Sequence, residues 1–176
     1  KSWYDYLTNT RGIGPENVRL LTGVDATSDE ILDATRKAAA RVRPGGTLWF
    51  VFIGHGAPNA NGKDGLLVGV DAQQKIRSLE QRSVKQGELL SLLATSKAEA
   101  IRIVLDACFS GRREDGRPLV PGLQPLVPTM MLAGPTDHRI VVFTAAKGNQ
   151  FAGPLPGSRR PAFSYLILGA LRGWIG

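Results

Sequence analysis

The only cysteine of the chain, Cys108, directly follows an apolar segment and an aspartate. Residues 101–111 have the sequence IRIVLDACFSG. A structural cysteine would be expected inside the apolar segment, because a free thiol packs like a small hydrophobic group. Cys108 instead lies where that segment ends and is followed by Ser-Gly, so its position favours a chemical role.

A histidine occupies an equivalent position after a second apolar segment. Residues 48–53, LWFVFI, are followed by Gly54, His55 and Gly56. A free thiol is mostly protonated at neutral pH and needs a base to become a nucleophile. An imidazole can accept that proton and later return it to a leaving amine. His55 and Cys108 therefore predict a Cys-His dyad.

The glycines beside His55 predict a site for a developing negative charge. Without a Cβ atom the backbone can approach a substrate closely and direct an N–H at an oxyanion. The candidate donors are the amides of Gly56 and Cys108.

Asp106 has two interpretations. In an extended segment, residues two apart share a face, which puts its carboxylate beside the Cys108 side chain. A carboxylate there would form the floor of a pocket for an Arg or Lys side chain. Alternatively, Asp106 accepts hydrogen bonds from loop amides at a strand end. The sequence leaves both open.

Parallel strands would bring these residues together, because their carboxyl ends lie along one edge of a sheet. The patterns predict strands at 18–21, 48–53, 66–70, 101–105 and 140–144, and helices at 27–42, from 83 onward and at 163–174. The 48–53 strand, apolar on both faces, is predicted to be central in a covered sheet. Capping boxes at Thr27–Glu30 and Ser83–Gln86 are predicted to start the first two helices. The fold class predicted is an α/β sandwich with a mainly parallel sheet flanked by helices.

The other histidine, His138, precedes the 140–144 strand. It would therefore lie at the amino edge of the sheet, opposite the dyad, and is rejected as the base.

The composition limits the class of protein. The chain has 176 residues, which fits one domain over 1–176. A single cysteine cannot form an internal disulfide, so a reducing compartment and a cytoplasmic location are expected. No apolar run could span a bilayer, so no membrane partner is expected. The net charge is +7, but the basic residues are scattered without interleaved aromatic residues, which argues against a nucleic-acid partner. A polyanion-binding domain remains an alternative.

The motifs resemble those of caspase-like cysteine peptidases, the clan of caspases, metacaspases and their bacterial relatives. The Gly54-His55-Gly56 turn precedes Asp106-Ala107-Cys108 by about 50 residues, the spacing of the caspase pair. The segments RSVKQGELL, at 82–90, and AFSY, at 162–165, also fit bacterial members. Residues 145–152, AAKGNQFA, differ from the Cys-x-Asp turn of metacaspases, so a bacterial caspase-like peptidase is the nearer group.

The resemblance implies specific roles. Cys108 would be the nucleophile, His55 the general base and acid, and the amides of Gly56 and Cys108 the oxyanion hole. Asp106, where caspases have glutamine, implies cleavage after Arg or Lys, and Asp25 is similar in place to a second acidic pocket residue. No metal and no cofactor are required. Calcium dependence finds no support, since the strongest acidic pair is Glu114-Asp115.

The resemblance also implies features of the whole chain. The family's first core strand is missing at the N-terminus, and the full-length protein could carry additional domains. Residues 109–137 are predicted to form a long surface excursion. Arg112, Arg113 and Arg117 within it are candidate self-cleavage sites or, alternatively, solvated loop charges. The main hypothesis is an endopeptidase acting on protein or peptide substrates with Arg or Lys. The alternative is a catalytically silent caspase-like module for interaction or signalling.

Overall fold

The computed structural model describes residues 1–107, 109, 137–145 and 162–174. In these ranges the chain forms short helical turns followed by a mixture of helices and strands. The helices are α1 (Ser2–Asp5), α2 (Ser28–Arg41), α3 (Ile76–Gln81), α4 (Gln86–Ala94) and α5 (Ala162–Leu171). The strands are β1 (Thr47–Ile53), β2 (Gly56–Pro58), β3 (Gly65–Val68), β4 (Ser83–Lys85), β5 (Ala100–Asp106) and β6 (Ile140–Thr144). A π-helical turn, Tyr6–Thr10, continues α1, and 3-10 turns form at Pro15–Asn17 and Gly23–Asp25.

The described chain is α/β, with a parallel sheet of order β1-β5-β6. The predicted strands at 48–53, 101–105 and 140–144 are confirmed. In this sheet β5 is the middle strand, so the prediction of a central 48–53 strand is wrong for the described residues. The burial explains the arrangement: Ile101, Ile103, Val104 and Leu105 of β5 are buried, whereas β1 is only half-buried and its last residue, Ile53, is exposed.

Helices cover both faces of the parallel sheet. On one face α2 and α4 pack against alternate residues of β1 and β5, including Leu48 and Ile103. On the other face the N-terminal helical segment and α5 pack against Val104 and Trp49. The alternation arises because successive side chains of a strand point to opposite faces.

A second, antiparallel sheet of order β2-β3-β4 adjoins the parallel one and was not anticipated. The strand predicted at 66–70 is confirmed as β3, although it ends at Val68 and belongs to this second sheet. Its strands have three or four residues, too few to show a clear alternation of apolar and polar positions.

The strand predicted at Val18–Leu21 is wrong. Val18 has extended dihedral angles, but the segment pairs with no described strand. Leu20 is half exposed, while Val18 and Leu21 pack onto the edges of the two main cores. The apolar residues therefore anchor a connecting segment rather than a strand.

The first helix prediction is confirmed. Thr27 is the N-cap of α2, and its hydroxyl accepts a hydrogen bond from the N–H of Glu30 at 3.3 Å. The helix ends at Arg41, one residue before the predicted limit, and the Pro44-Gly45-Gly46 turn follows with Gly45 at a φ of +80°.

The second capping box is wrong, although the helix it was meant to start is present. Ser83 lies in β4, paired with Val68 of β3, and its buried hydroxyl has no described hydrogen-bond partner. The N-terminus of α4 is served instead by Asp64, whose carboxylate accepts from the N–H of Gly87 at 3.3 Å. Burial raises the pKa of Asp64, and hydrogen bonds from Gly87 and Gly65 partly oppose that rise.

The closing helix is confirmed as α5, which ends at Leu171 before Gly173, at a φ of +85°. Within the described ranges, no helix combines the length and the apolar character needed to cross a membrane.

Candidate active site

His55 lies in the two-residue connection between the two sheets. β1 ends at Ile53 and β2 begins at Gly56, so only Gly54 and His55 link them. The N–H of Gly54 donates to the carbonyl of Asp106 at 3.2 Å, which extends the pairing of β1 with β5. The N–H of Val68 donates to the carbonyl of His55 at 3.0 Å, on the side of the second sheet. The His55 residue is exposed, so solvent and ligands can reach it.

The strand register relates His55 to the predicted nucleophile. β1 and β5 are parallel neighbours, and their last paired residues are Ile53 and Asp106. His55 is therefore the second residue after the last pair on β1, and Cys108 is the second residue after it on β5. Cys108 itself lies outside the described residues, whereas its neighbours Ala107 and Phe109 are buried in the core on the α2 and α4 side.

Gly56 directs its N–H away from the second sheet. In an antiparallel ladder, hydrogen-bonded and non-hydrogen-bonded pairs alternate. The bond from Val68 to His55 makes their pair a hydrogen-bonded one, so the next pair, Gly56 with Leu67, is non-hydrogen-bonded. β2 is an edge strand of the described antiparallel sheet. The amide of Gly56 is consequently aimed at the side of β2 that no described strand occupies, as an oxyanion donor would require.

Asp106 is buried, with 6% of its surface exposed, on the α5 side of the parallel sheet. Its Oδ2 accepts a hydrogen bond of 2.9 Å from the N–H of Ser164, in the first turn of α5. The hydroxyl of Ser164 in turn accepts from the indole N–H of Trp3 at 3.1 Å. The second interpretation of Asp106 predicted a hydrogen bond from a backbone N–H, and such a bond is present. Its donor belongs to a helix rather than a loop.

Asp25 lies at the end of a 3-10 turn and is exposed. The carbonyl of the next residue, Ala26, accepts from the N–H of Val70 at 3.0 Å. Val70 follows β3 by two residues, and the N–H of Val68 binds the carbonyl of His55. Backbone bonds thus link the residue after Asp25 to Val70, two residues beyond the Val68 that bonds to His55, and no described contact joins Asp25 to Asp106.

His138 lies in the turn before β6, at the amino edge of the parallel sheet, as predicted. This turn is organised by Arg139, whose guanidinium donates to the carbonyl of Ala94, the last residue of α4, and to those of Ser96 and Ala98 after it. Its hydrogen bonds to Asp137 lower the pKa of that carboxyl to about 2.

Other predicted features lie outside the described residues. They include the Cys108 amide, the excursion apart from its two end residues, the arginines Arg112, Arg113 and Arg117, the Glu114-Asp115 pair and residues 146–152. Among the residues the structure describes, no group of three or more His, Cys, Asp or Glu side chains is placed to hold a metal ion.

Sequence reasoning missed the roles of Ser164 and Trp3. A signal existed for Ser164: the residues before α5 are Arg-Arg-Pro, without an Asp, Asn, Ser or Thr immediately preceding the helix. The first amides of such a helix need an acceptor from elsewhere. An aspartate ending a buried strand is one such acceptor, but only the tertiary structure identifies which one is used.

The chain was compared with protein-family models and with curated proteins, and neither comparison found a match.

Proposed function

We propose that the chain is a caspase-like cysteine endopeptidase that cleaves after Arg or Lys. The observation that carries the proposal is the register of β1 and β5, which pairs Ile53 with Asp106 on adjacent parallel strands. It supports a dyad of His55 and Cys108, each the second residue after the last pair.

The chemistry follows from these residue types. His55 accepts the thiol proton as Cys108 attacks the scissile carbonyl carbon. The resulting oxyanion accepts a hydrogen bond from the N–H of Gly56. His55 then gives its proton to the departing amine, and a thioester remains on Cys108. Water, deprotonated by His55, hydrolyses this thioester and restores the thiol.

The preference for a basic residue is assigned to Asp106. A carboxylate with 6% exposure, next but one to the nucleophile in sequence, attracts a guanidinium or ammonium group strongly because little water screens it. Asp25, whose neighbour Ala26 bonds to the segment after β3, is assigned a second negative charge near the incoming side chain.

The test uses fluorogenic peptides that differ only in P1, with Arg, Lys, Asp or Ala, on the wild type and on Cys108→Ala, with and without calcium. We expect cleavage after Arg and Lys that disappears in Cys108→Ala. Ser110→Ala is the matched control for a change near the nucleophile and should retain turnover.

The outcomes separate the parts of the proposal. Cleavage only after Asp would retain the dyad but remove the role of Asp106, and cleavage that persists in Cys108→Ala would remove the dyad. No cleavage together with unreactive Cys108 would favour the silent interaction module. An active preparation in which mass spectrometry finds the chain uncut after Arg112, Arg113 and Arg117 would exclude self-processing at those residues.

A further inference from the structure

A chain of two buried hydrogen bonds joins the N-terminal helical segment to the candidate specificity residue. Trp3 donates through its indole N–H to the hydroxyl of Ser164, at 3.1 Å, over a sequence separation of 161 residues. Ser164 donates through its backbone N–H to Asp106, at 2.9 Å, over a separation of 58. All three residues are buried.

The bond from Ser164 to Asp106 ties the Asp106 carboxylate to the helix α5. Ser164 is in the first turn of α5, where backbone N–H groups lack partners within the helix and the helix dipole favours a negative charge. The carboxylate orientation is therefore tied to the position of the α5 N-terminus.

The first bond fixes the α5 N-terminus against the N-terminal segment. Trp3 packs edge-on to Tyr6, with ring centroids 5.8 Å apart, and lies 6.3 Å from the ring of Trp49 on β1. Its indole is thus held by aromatic packing, and a buried indole N–H needs an acceptor. Ser164 provides that acceptor, so α5 cannot shift without breaking this bond.

We propose that Trp3 and Ser164 are positioning residues that orient the Asp106 carboxylate, so that docking of the N-terminal segment sets the affinity of the site for a cationic side chain. This inference rests on the proposed function, because it assigns Asp106 to the binding of Arg or Lys. It goes further by naming residues that do not touch the substrate and by coupling the helical segment that contains Trp3 to substrate selection.

The main test compares Trp3→Phe with Trp49→Phe. Both remove an indole from the same aromatic cluster, but only the first removes the donor to Ser164. In Trp3→Phe we expect KM for Arg and Lys peptides to rise about three- to tenfold, the range for loss of one hydrogen bond, with a smaller change in kcat. Alkylation of Cys108 by iodoacetamide should proceed at the wild-type rate. Trp49→Phe should leave KM within about twofold, although both variants should have a lower Tm.

A second pair tests both bonds at Ser164 together. Ser164→Pro removes the N–H that donates to Asp106 and the hydroxyl that accepts from Trp3, whereas Ala162→Pro places the same ring in the same first turn, where proline is tolerated, and keeps both groups. Of these two variants, we expect only Ser164→Pro to raise KM for the cationic peptides.

Benzamidine binding, measured calorimetrically, provides a readout that does not require turnover. The wild type should bind this amidinium, and Trp3→Phe should weaken binding by about the same factor as it raises KM. If the wild type cleaves after Arg but Trp3→Phe changes neither KM nor benzamidine binding, the inference fails and the proposed function stands. If Trp3→Phe weakens benzamidine binding while no peptide is cleaved, the positioning role stands and the peptidase assignment fails. If the wild type neither binds benzamidine nor cleaves any peptide, both fail.

Discussion

Asp106 combines a structural bond with a proposed role in substrate binding. A buried carboxylate is costly unless it is hydrogen-bonded, and the amide of Ser164 supplies one such bond. An uncharged amide oxygen could still accept that bond, although more weakly, because the carboxylate bond at a helix N-terminus is charge-assisted. The negative charge is therefore the property that distinguishes the two interpretations of this residue.

Asp106→Asn is expected to separate the charge from the hydrogen bond. The amide oxygen can still accept from Ser164, so the variant should fold, while kcat/KM for Arg and Lys peptides should fall about 10²-fold through loss of the buried charge. The measurements are peptide kinetics and thermal unfolding. Asp137→Asn is the matched control, since it neutralises a carboxylate at the opposite edge of the sheet and should leave kcat/KM unchanged. A purely structural role for Asp106 would show as unchanged kinetics in the asparagine variant.

The candidate site was predictable where it depends on strand ends, and not where it depends on distant contacts. The apolar segments before His55 and Asp106 are continuous and β-prone, so the sequence places both residues at strand ends, and the register confirms that these strands are neighbours. The partnership of Trp3 with Ser164 follows from how α5 and the N-terminal segment pack on one face. No local pattern encodes that packing.

At the scale of elements, the same four-residue pattern has two different outcomes. Thr27–Glu30 caps α2, but Ser83–Gln86 does not cap α4, because Ser83 and Val84 pair with β3 in the antiparallel sheet. Val84 is completely buried there. Burial of this residue and the ladder bonds outweigh the local preference of serine for an N-cap, which amounts to about 1 kcal/mol.

Thr27 and Ser83, the first residues of the two predicted capping boxes, give opposite predictions for stability. Thr27→Ala should lower the free energy of unfolding by about 1 kcal/mol, because the N–H of Glu30 loses its acceptor. Ser83→Ala should leave it unchanged or raise it, since it removes a buried hydroxyl that has no described partner. Denaturant unfolding of both variants measures the difference. A loss of similar size in Ser83→Ala would mean that its hydroxyl is bonded after all.

Long elements were predicted better than short ones for a physical reason. α2, β1 and β5 each contain seven or more residues, enough for an apolar periodicity to be distinguished from chance. β2 and β4 have three residues each, and their pairing depends on β3. Val18–Leu21 has the composition of a strand but no described neighbour to pair with, which a sequence alone does not reveal.

At the scale of the molecule, β5 supports two cores at once. Ile103 points to the α2 and α4 side and Val104 to the α1 and α5 side, and both are almost completely buried. The position of Asp106 therefore depends on packing on both faces of the sheet. The proposed site and the stability of the core share this strand.

Ile103→Val is expected to lower the free energy of unfolding by about 0.5–1.5 kcal/mol, because it removes a methylene from a packed interior. Ile53→Val makes the same chemical change at the end of β1, where 49% of the residue is exposed, and should cost less than about 0.5 kcal/mol. Urea denaturation of the two variants tests this contrast. Equal losses would contradict the assignment of β5 as the core of the sheet.

The link between the two sheets has a consequence for the entropy of binding. Because Gly54 bonds to Asp106 on one side and the carbonyl of His55 bonds to Val68 on the other, the backbone of the histidine is immobilised in the folded chain before any ligand arrives. A group held in this way loses little further freedom when a substrate binds, so more of the contact energy appears as affinity or rate. His55 thus resembles a fixed part of a rigid frame more than a residue of an adaptable loop.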